Sequence, residues 1–591
     1  MAHLLSRRDL DFLLYEWLDI TSLTEREKFS AHSRETFDGV LDLSADLAEK
    51  LFAPHNKAGD QNPPYVGDDG KVVLIDDVKT ATDAYADADL IAAPFPEALG
   101  GMDLPSTISR ASMAWFQAAN PGTSSYALLT TANANLLVAH GSPEQIDTWV
   151  RPMLAGRYSG TMCLSEPQAG SSLADITTKA VPAGDGTYRV SGTKMWISGG
   201  EHELTENIVH LVLAKAPGGG PGVKGISLFI VPKFLPDGTR NDVALVGLNH
   251  KMGNRGTTNT LLNFGDGSHP VPGGSGAVGY LVGQEHRGLF YMFHMMNEAR
   301  IGVGFLATAI GYAGYLASLD YAKVRTQGRP PWSKDAASAP VPIIEHADVK
   351  RMLLAQKSYV EGALALGLYC SRLVDIEATS DRAERDQAHL LLEVLTPIAK
   401  AWPSQWCPEA NNLAIQVHGG YGYTTEFDVE QCYRDNRLNP IHEGTNGIQG
   451  IDLLGRKVVM DGGAGLTLLY ETIVATIDRA PSDGETADYA AALRAALDDL
   501  VATTATLWAD ANPAVALTNS SVYLQAAGHI VLAWMWLDQL LAVGDKTGDF
   551  YDGKRAAARY FFRFELPTVG PQLALCKSLD QTTAETDPAW F

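Results

Sequence analysis

A chain of 591 residues with 46% apolar and 19% charged residues is an ordered globular protein too long for one core, so two to four domains are expected. Its formal net charge of −23 excludes general nucleic-acid or anionic-membrane binding, which needs basic surface, while local Arg and Lys can still hold a small anion. The five scattered cysteines form no Cys-x-x-Cys pair, which argues against a zinc site or a disulfide framework and fits a reduced, cytoplasmic interior.

Taken in order, residues 1–50 read as an amphipathic helical extension. Leu10, Phe12, Leu13, Leu14, Trp17, Leu18 and Ile20 supply its apolar face, and Ser22-Leu23-Thr24-Glu25 resembles a capping box. Asp9, Asp11, Glu16 and Asp19 interrupt what would be the apolar region of a signal peptide. An N-terminal α-domain is expected over 51–159, broken at Pro94-Phe95-Pro96 and at Leu99-Gly100-Gly101-Met102. From 160 to 288 the texture changes to short Val-, Ile- and Thr-rich runs between Gly and Pro turns, which predicts a small β-barrel or sandwich.

Helical patterns return over 289–460, at 290–325, 345–378, 383–405 and 407–419. The stretch from Gly328 to Pro342, with Pro330, Pro331 and Pro340, reads as a loop. Ile301 to Leu319 is uncharged and long enough for a membrane span. Its glycines, and the flanking Glu298, Arg300 and Asp320, fit a buried bundle helix better, so no membrane insertion is expected. A glycine-rich linker at 461–465 then leads into a C-terminal helical domain, 466–591. The predicted fold class is α+β multidomain: helical, β, helical bundle, and an added helical domain.

Three stretches carry chemistry. Met162-Cys163-Leu164-Ser165-Glu166-Pro167-Gln168-Ala169-Gly170-Ser171-Ser172 joins a strand to a turn whose amides and hydroxyls suit a flat polar ligand or a phosphate, or form a plain hairpin turn. Lys194-Met195-Trp196-Ile197-Ser198 places an indole and a hydroxyl on one strand face, as an aromatic wall or as core tryptophan. His442-Glu443-Gly444-Thr445-Asn446-Gly447 sets one carboxylate in a tight loop. It is either an acid placed on a ligand or a surface Glu at a helix start.

Together with Arg325 and Gln416-Val417-His418-Gly419-Gly420-Tyr421-Gly422-Tyr423, these motifs occur in an order that resembles the acyl-CoA dehydrogenase family of flavoproteins, over roughly residues 80–457. The whole chain is similar to the long bacterial subgroup. It shares the N-terminal extension, the stretch Pro342-Ile343-Ile344-Glu345-His346 and the C-terminal domain. The resemblance implies FAD-dependent α,β-dehydrogenation of a medium- to long-chain acyl-CoA to the trans-2-enoyl-CoA. The flavin N5 takes the β-hydride, and electrons pass to electron-transfer flavoprotein. The alternatives are 3-methylmercaptopropionyl-CoA as substrate, or a DNA-associated flavoprotein of the same fold. The last is disfavoured because residues 466–591 hold 8 Lys/Arg against 16 Asp/Glu, a net of −8.

Residue by residue, the resemblance implies that Glu443 is the α-proton base. It places Arg300 near the base and the acyl-CoA, with a bundle salt bridge as the alternative, and gives Ser171 a substrate contact. FAD contacts fall on Met162, Leu164, Ser165, Gly170, Ser171, Trp196, Ser198, Arg325, Gln416, Gly419, Gly420 and Thr445. Arg325, Gln416, Gly419 and Gly420 match residues that usually act across a subunit interface, so a homodimer is expected. Three positions depart from the family pattern: His442, Gly447 and the spacing after Arg325. Leu99, Gly100, Met102, Leu128, Thr131, Met296 and Asn297 are candidates for the acyl-pocket floor.

Overall fold

The computed structural model describes residues 4–330, 332 and 337–591, the side chains of His294 and Asn297 excepted. The loop residue Pro331 and the Asn297 side chain, a floor candidate, lie outside the described residues. The chain divides into two compact units: one of residues 34–299, the other of the N-terminal residues up to 33 with 300–591.

The first unit opens with four helices: α1 (Arg34–Leu47), α2 (Asp76–Asp87), α3 (Ser106–Ala119) and α4 (Pro121–His140). Asn120 caps α4 by accepting from Thr123 N at 3.0 Å, with Pro121 in the first turn where its missing N–H costs nothing. Phe116 meets both Phe52 and Tyr85 edge-to-face at 4.8 Å, which anchors the helical core. The expected break at Leu99-Gly100-Gly101 is real. A Cβ on Gly101 would lie 2.0 Å from Phe95 O, so only glycine lets the chain double back there.

Eight strands follow: β1 (Tyr158–Cys163), β2 (Lys179–Pro182), β3 (Tyr188–Ser198), β4 (Asn207–Lys215), β5 (Ile226–Pro232), β6 (Val243–Leu248), β7 (Asn259–Phe264) and β8 (Ala277–Leu281). They are ordered β8-β5-β4-β2-β3-β7-β6, with β1 parallel to β4. Because β8 also pairs with β3, as in Ala277 opposite Val190, the sheet closes on itself around Cys163, Val190, Val212, Phe229, Leu262 and Phe264.

The second unit is helical: the part of α5 (Gly288–Val324) from Arg300 onward, α6 (Ala347–Thr379), α7 (Arg382–His418), α8 (Val429–Asn436), α9 (Asn446–Asp452), α10 (Ala464–Ile477), α11 (Glu485–Leu507), α12 (Ser520–Val543), α13 (Asp549–Tyr560) and α14 (Val569–Lys577). The break expected between 405 and 407 is corrected. Helix α7 runs unbroken through Pro397, Pro403 and Pro408. Pro403 leaves the Ala399 carbonyl without its usual helical donor. The α5 backbone packs tightly there, since a Cβ on Gly304 would lie only 2.1 Å from that oxygen. This close approach sets Arg300 and Lys400 on facing turns.

Among the described residues, the single helices long and apolar enough to cross a membrane are α5 and α12, and each has most of that apolar stretch covered by protein, as the bundle reading expected for α5. The N-terminal extension is corrected in detail. Short pieces (Arg7–Asp11, Phe12–Trp17, Ile20–Glu25) replace the long helix, and Ser22 donates to Asp19 O at 2.7 Å rather than capping. Tertiary packing overrides local periodicity here. Phe12 meets Phe550 at 5.5 Å, Trp17 Nε1 donates to Asp538 Oδ2 at 2.9 Å, and buried Asp9 pairs with Lys554 and accepts from Tyr312 at 3.0 Å.

Candidate active site

In the β-domain, strand alternation sorts the expected residues by face. Cys163, Ala169, Lys194 and Ile197 point into the core, whereas Met162, Leu164, Ser165, Gly170, Ser171, Trp196 and Ser198 remain accessible. Simple alternation from Lys194 would have buried Trp196. A bulge between Lys194 and Ile197 turns it outward with left-handed backbone (φ 66°), leaving the indole 59% exposed. Core tryptophan is thereby excluded, and the indole is left open to a ligand.

The turn after β1 is fixed from below by a pair that sequence reasoning passed over. Buried Glu166 accepts from the amides of Thr177 and Thr178 at 2.7 and 3.0 Å, from their hydroxyls at 2.8 and 2.6 Å, and from Lys194 Nζ at 3.0 Å. Lys194 also donates to Leu164 O at 2.9 Å, and Met195 N donates to Ser165 O at 2.9 Å, tying strand to turn. The hydroxyls of Ser165 and Ser171 take no partner among the described residues, while Ser198 Oγ accepts from Asn259 at 3.1 Å.

In the helical unit, α7 ends at Gly419 in left-handed backbone (φ 62°). Gln416, Gly419 and Gly420 form an exposed row, with open space where either glycine would carry a Cβ. The Arg325 guanidinium lies 5.5 Å from the Tyr421 ring centroid, and Arg325 donates to Gln327 at 3.3 Å.

The loop around Glu443 is fixed by its neighbours except at the Glu443 carboxylate and N–H. Glu443 itself sits at φ 52° and Gly444 at φ 85°. Gln449 Nε2 donates to the carbonyls of both, at 3.2 and 3.3 Å. The Thr445 hydroxyl caps α9 by accepting from Ile448 N at 3.3 Å. The His442 departure has a structural account. His442 Nε2 donates to Asn439 Oδ1 at 3.0 Å, because the Asn439 amide is committed to Asn436 Oδ1 at 2.7 Å. Burial, with help from Lys400, pushes the His442 imidazole down to about 3, so it is neutral. Nothing in the structure requires glycine at 447, where a Cβ would meet only ordinary contacts.

By contrast, neither the Glu443 carboxylate nor its main-chain N–H finds a hydrogen-bond partner among the described residues. Burial pushes its carboxyl above the usual range, against the opposing pull of Lys400 and Arg300. Arg300 is buried and bridges Asp452 at 2.9 Å, so the salt-bridge alternative holds while its charge is still felt at Glu443. Lys400, fully buried on α7, donates to Asn439 O at 2.8 Å and was not anticipated from sequence.

Comparison with known proteins decides the family. Residues 69–157, 161–266 and 286–458 match the N-terminal, middle and C-terminal domains of acyl-CoA dehydrogenase, and 469–587 match an acetyl-CoA dehydrogenase C-terminal-like domain. A 3-methylmercaptopropionyl-CoA dehydrogenase of Ruegeria pomeroyi is 36% identical over 94% of each chain. The chain belongs to the acyl-CoA dehydrogenase family. It is an FAD-dependent oxidoreductase of that family. A broad-specificity linear acyl-CoA dehydrogenase of Mycobacterium tuberculosis is 34% identical over the full length of both chains. In fold, an acyl-CoA dehydrogenase of Bacillus anthracis solved with FAD superposes with a TM-score of 0.75 at 18% identity, covering 98% of this chain and 93% of the other.

The residues of this acyl-CoA dehydrogenase fit the flavin. An exposed indole suits a flat ring, and the open hydroxyls of Ser165 and Ser171 suit its hydrogen-bonding edge. The exposed glycines 170, 419 and 420 leave room for close backbone approach.

Proposed function

We propose that this enzyme removes the α-proton and β-hydride of a linear acyl-CoA thioester, in the medium- to long-chain fatty series, giving the trans-2-enoyl-CoA, with Glu443 as the base. The observation that carries this reading is the pairing of an unsatisfied carboxylate with an unsatisfied N–H on one residue, held in left-handed backbone by its neighbours. Such strain persists where surrounding structure imposes it and is common at functional sites.

FAD, when bound, supplies the acceptor for the β-hydride. The Glu443 carboxylate takes the α-proton, and its raised pKa makes it a stronger base than an exposed glutamate. The free N–H of Glu443 would donate to the thioester carbonyl, stabilising the charge that builds on its oxygen as the proton leaves. Met162, Leu164, Ser165, Gly170, Ser171, Trp196 and Ser198 would hold the flavin ring system. Arg325, Gln416, Gly419, Gly420 and Thr445 would hold the rest of FAD, the first four from the partner subunit of a homodimer. Ser171 and Arg300 would also serve the acyl-CoA. We further assign electron-transfer flavoprotein as the electron acceptor and the cytoplasm as the location.

Glu443→Gln should retain FAD and bind acyl-CoA while turnover falls by at least about 10³-fold. Retained turnover places the base elsewhere. A second substrate reading, 3-methylmercaptopropionyl-CoA, is favoured by the similarity of the Ruegeria pomeroyi enzyme along nearly the whole chain. Comparing kcat/KM across straight-chain acyl-CoAs and that thioether separates the two. Reoxidation by electron-transfer flavoprotein rather than oxygen, and a dimer by light scattering, check the remaining assignments.

A further inference from the structure

A buried lysine with a single acceptor is unusual, because the ammonium has three donors and loses its hydration on burial. Lys400 is such a group: its one hydrogen bond runs to Asn439 O at 2.8 Å. The Asn439 side chain in turn accepts from His442, the residue directly before Glu443. Lys400 therefore grips the main chain at the root of the base loop. It is also within electrostatic reach of the Glu443 carboxylate without forming a salt bridge to it.

We propose that Lys400 is the positioning residue of the base. Its ammonium fixes the chain that presents Glu443 and supplies the counter-charge that keeps this carboxylate ionised and ready to accept a proton. The inference rests on Glu443 being the base. The other charged groups nearby are already engaged or neutral. On α5, Arg300 is bridged to Asp452 of α9; in the loop, His442 is neutral; and on α8, Asp435 accepts from Gln431 at 3.4 Å. Helix α12 faces α9 with Ser520 and Ser521, and its His529 packs instead against Trp406 at 4.9 Å. Farther along α7, Glu393 is paired with Lys457. Of these neighbouring groups, Lys400 is the cation for which no ion pair is found among the described residues. Burial pulls its pKa down to about 7, opposed by Glu443 and assisted by Arg300. A protonated Lys400 therefore favours the ionised form of Glu443, and loss of its charge removes that support.

The test reads the carboxyl, not turnover. The infrared band of protonated Glu443, identified by its loss in Glu443→Gln, is followed against pH in the holoenzyme. In Lys400→Met the midpoint should rise by about one pH unit, a tenfold smaller ionised fraction at a given acidic pH. Amide hydrogen exchange over 439–444 should also quicken. Lys400→Arg keeps the charge, so the midpoint should return. An unmoved midpoint in Lys400→Met overturns the proposal, as does a raised midpoint in Lys400→Arg. If Glu443→Gln keeps its turnover, the base assignment fails, while the coupling of the two groups is still read from the band.

Discussion

Two of the lysine–glutamate partnerships in this enzyme are built to opposite specifications. In the β-domain, burial alone would raise the Glu166 carboxyl, but Lys194 and the amides and hydroxyls of Thr177 and Thr178 overcome it and hold the group at about 2. In the helical unit, burial of Glu443 prevails over Lys400 and Arg300, and its carboxyl is left without a donor. A satisfied buried ion fixes a backbone. A half-buried carboxylate without a donor is left open to react, and its raised pKa costs stability when it is ionised. The first partnership is structural and fixes the turn after β1; the second surrounds the carboxylate proposed as the base.

The sharpest way to break this contrast is to neutralise each glutamate. Glu443→Gln should abolish turnover by the factor given above and yet raise the denaturation midpoint slightly, because a carboxylate with a raised folded pKa disfavours the folded state above its ordinary value near 4.5. Glu166→Gln should do the reverse. It leaves Lys194 buried without its counter-ion and should cost roughly 3–5 kcal/mol in chemical denaturation, with FAD lost as the turn loosens.

Acid should affect the two units through their buried histidines. His202 and His210 of the β-domain and His442 of the base loop are each pushed down to about 3 by burial. The unfolded chain binds more protons between about 3 and 6.5, so this stability is present above 6.5 and drains away as pH falls. The slope should be up to about 1.4 kcal/mol per pH unit for each histidine. The Glu166 contribution, present above 4.5, goes last as pH falls toward 2. Denaturation midpoints at pH 7.5 and 5.5 measure the difference.

Smaller effects refine the picture. Gly444→Ala forces a side chain onto left-handed backbone and within 2.5 Å of Gln449 Nε2, so about 1–2 kcal/mol of stability should go, with a larger share of kcat than of KM. Replacing Arg157 by Ala, which removes an exposed bridge to Glu206, should leave both midpoint and turnover unchanged within error.

Much of this was legible in the residues. The change from helical to strand texture near 160, and the return to helix near 290, were visible because period-2 and period-3.6 patterns differ over short windows. Glu443 stood out as one carboxylate among glycines and small polar residues. The bulge that exposes Trp196 was not visible, since alternation through Lys194 points the indole inward and only pairing with β7 shows the slip. The proline-threaded α7 was read as two helices, 383–405 and 407–419, although it continues past Pro408, because only tertiary packing holds the helix together there. The N-terminal extension was read as continuous helix because the partners that break it, Phe550 and Lys554, lie more than five hundred residues away in sequence.

By itself, then, the sequence determined the fold class, the order of the motifs and the identity of the candidate base, because these depend on local pattern and on residue type. Which charges meet was decided only in three dimensions. Lys400 is one basic residue in an otherwise apolar stretch of helix, forty-three positions before Glu443. Nothing in that spacing marks it. It faces the base loop because a glycine on α5 and a proline-freed carbonyl on α7 let two helices pack closely enough to bury it. Burial in turn makes its charge count, since a lysine in water screens its field and one inside the protein does not.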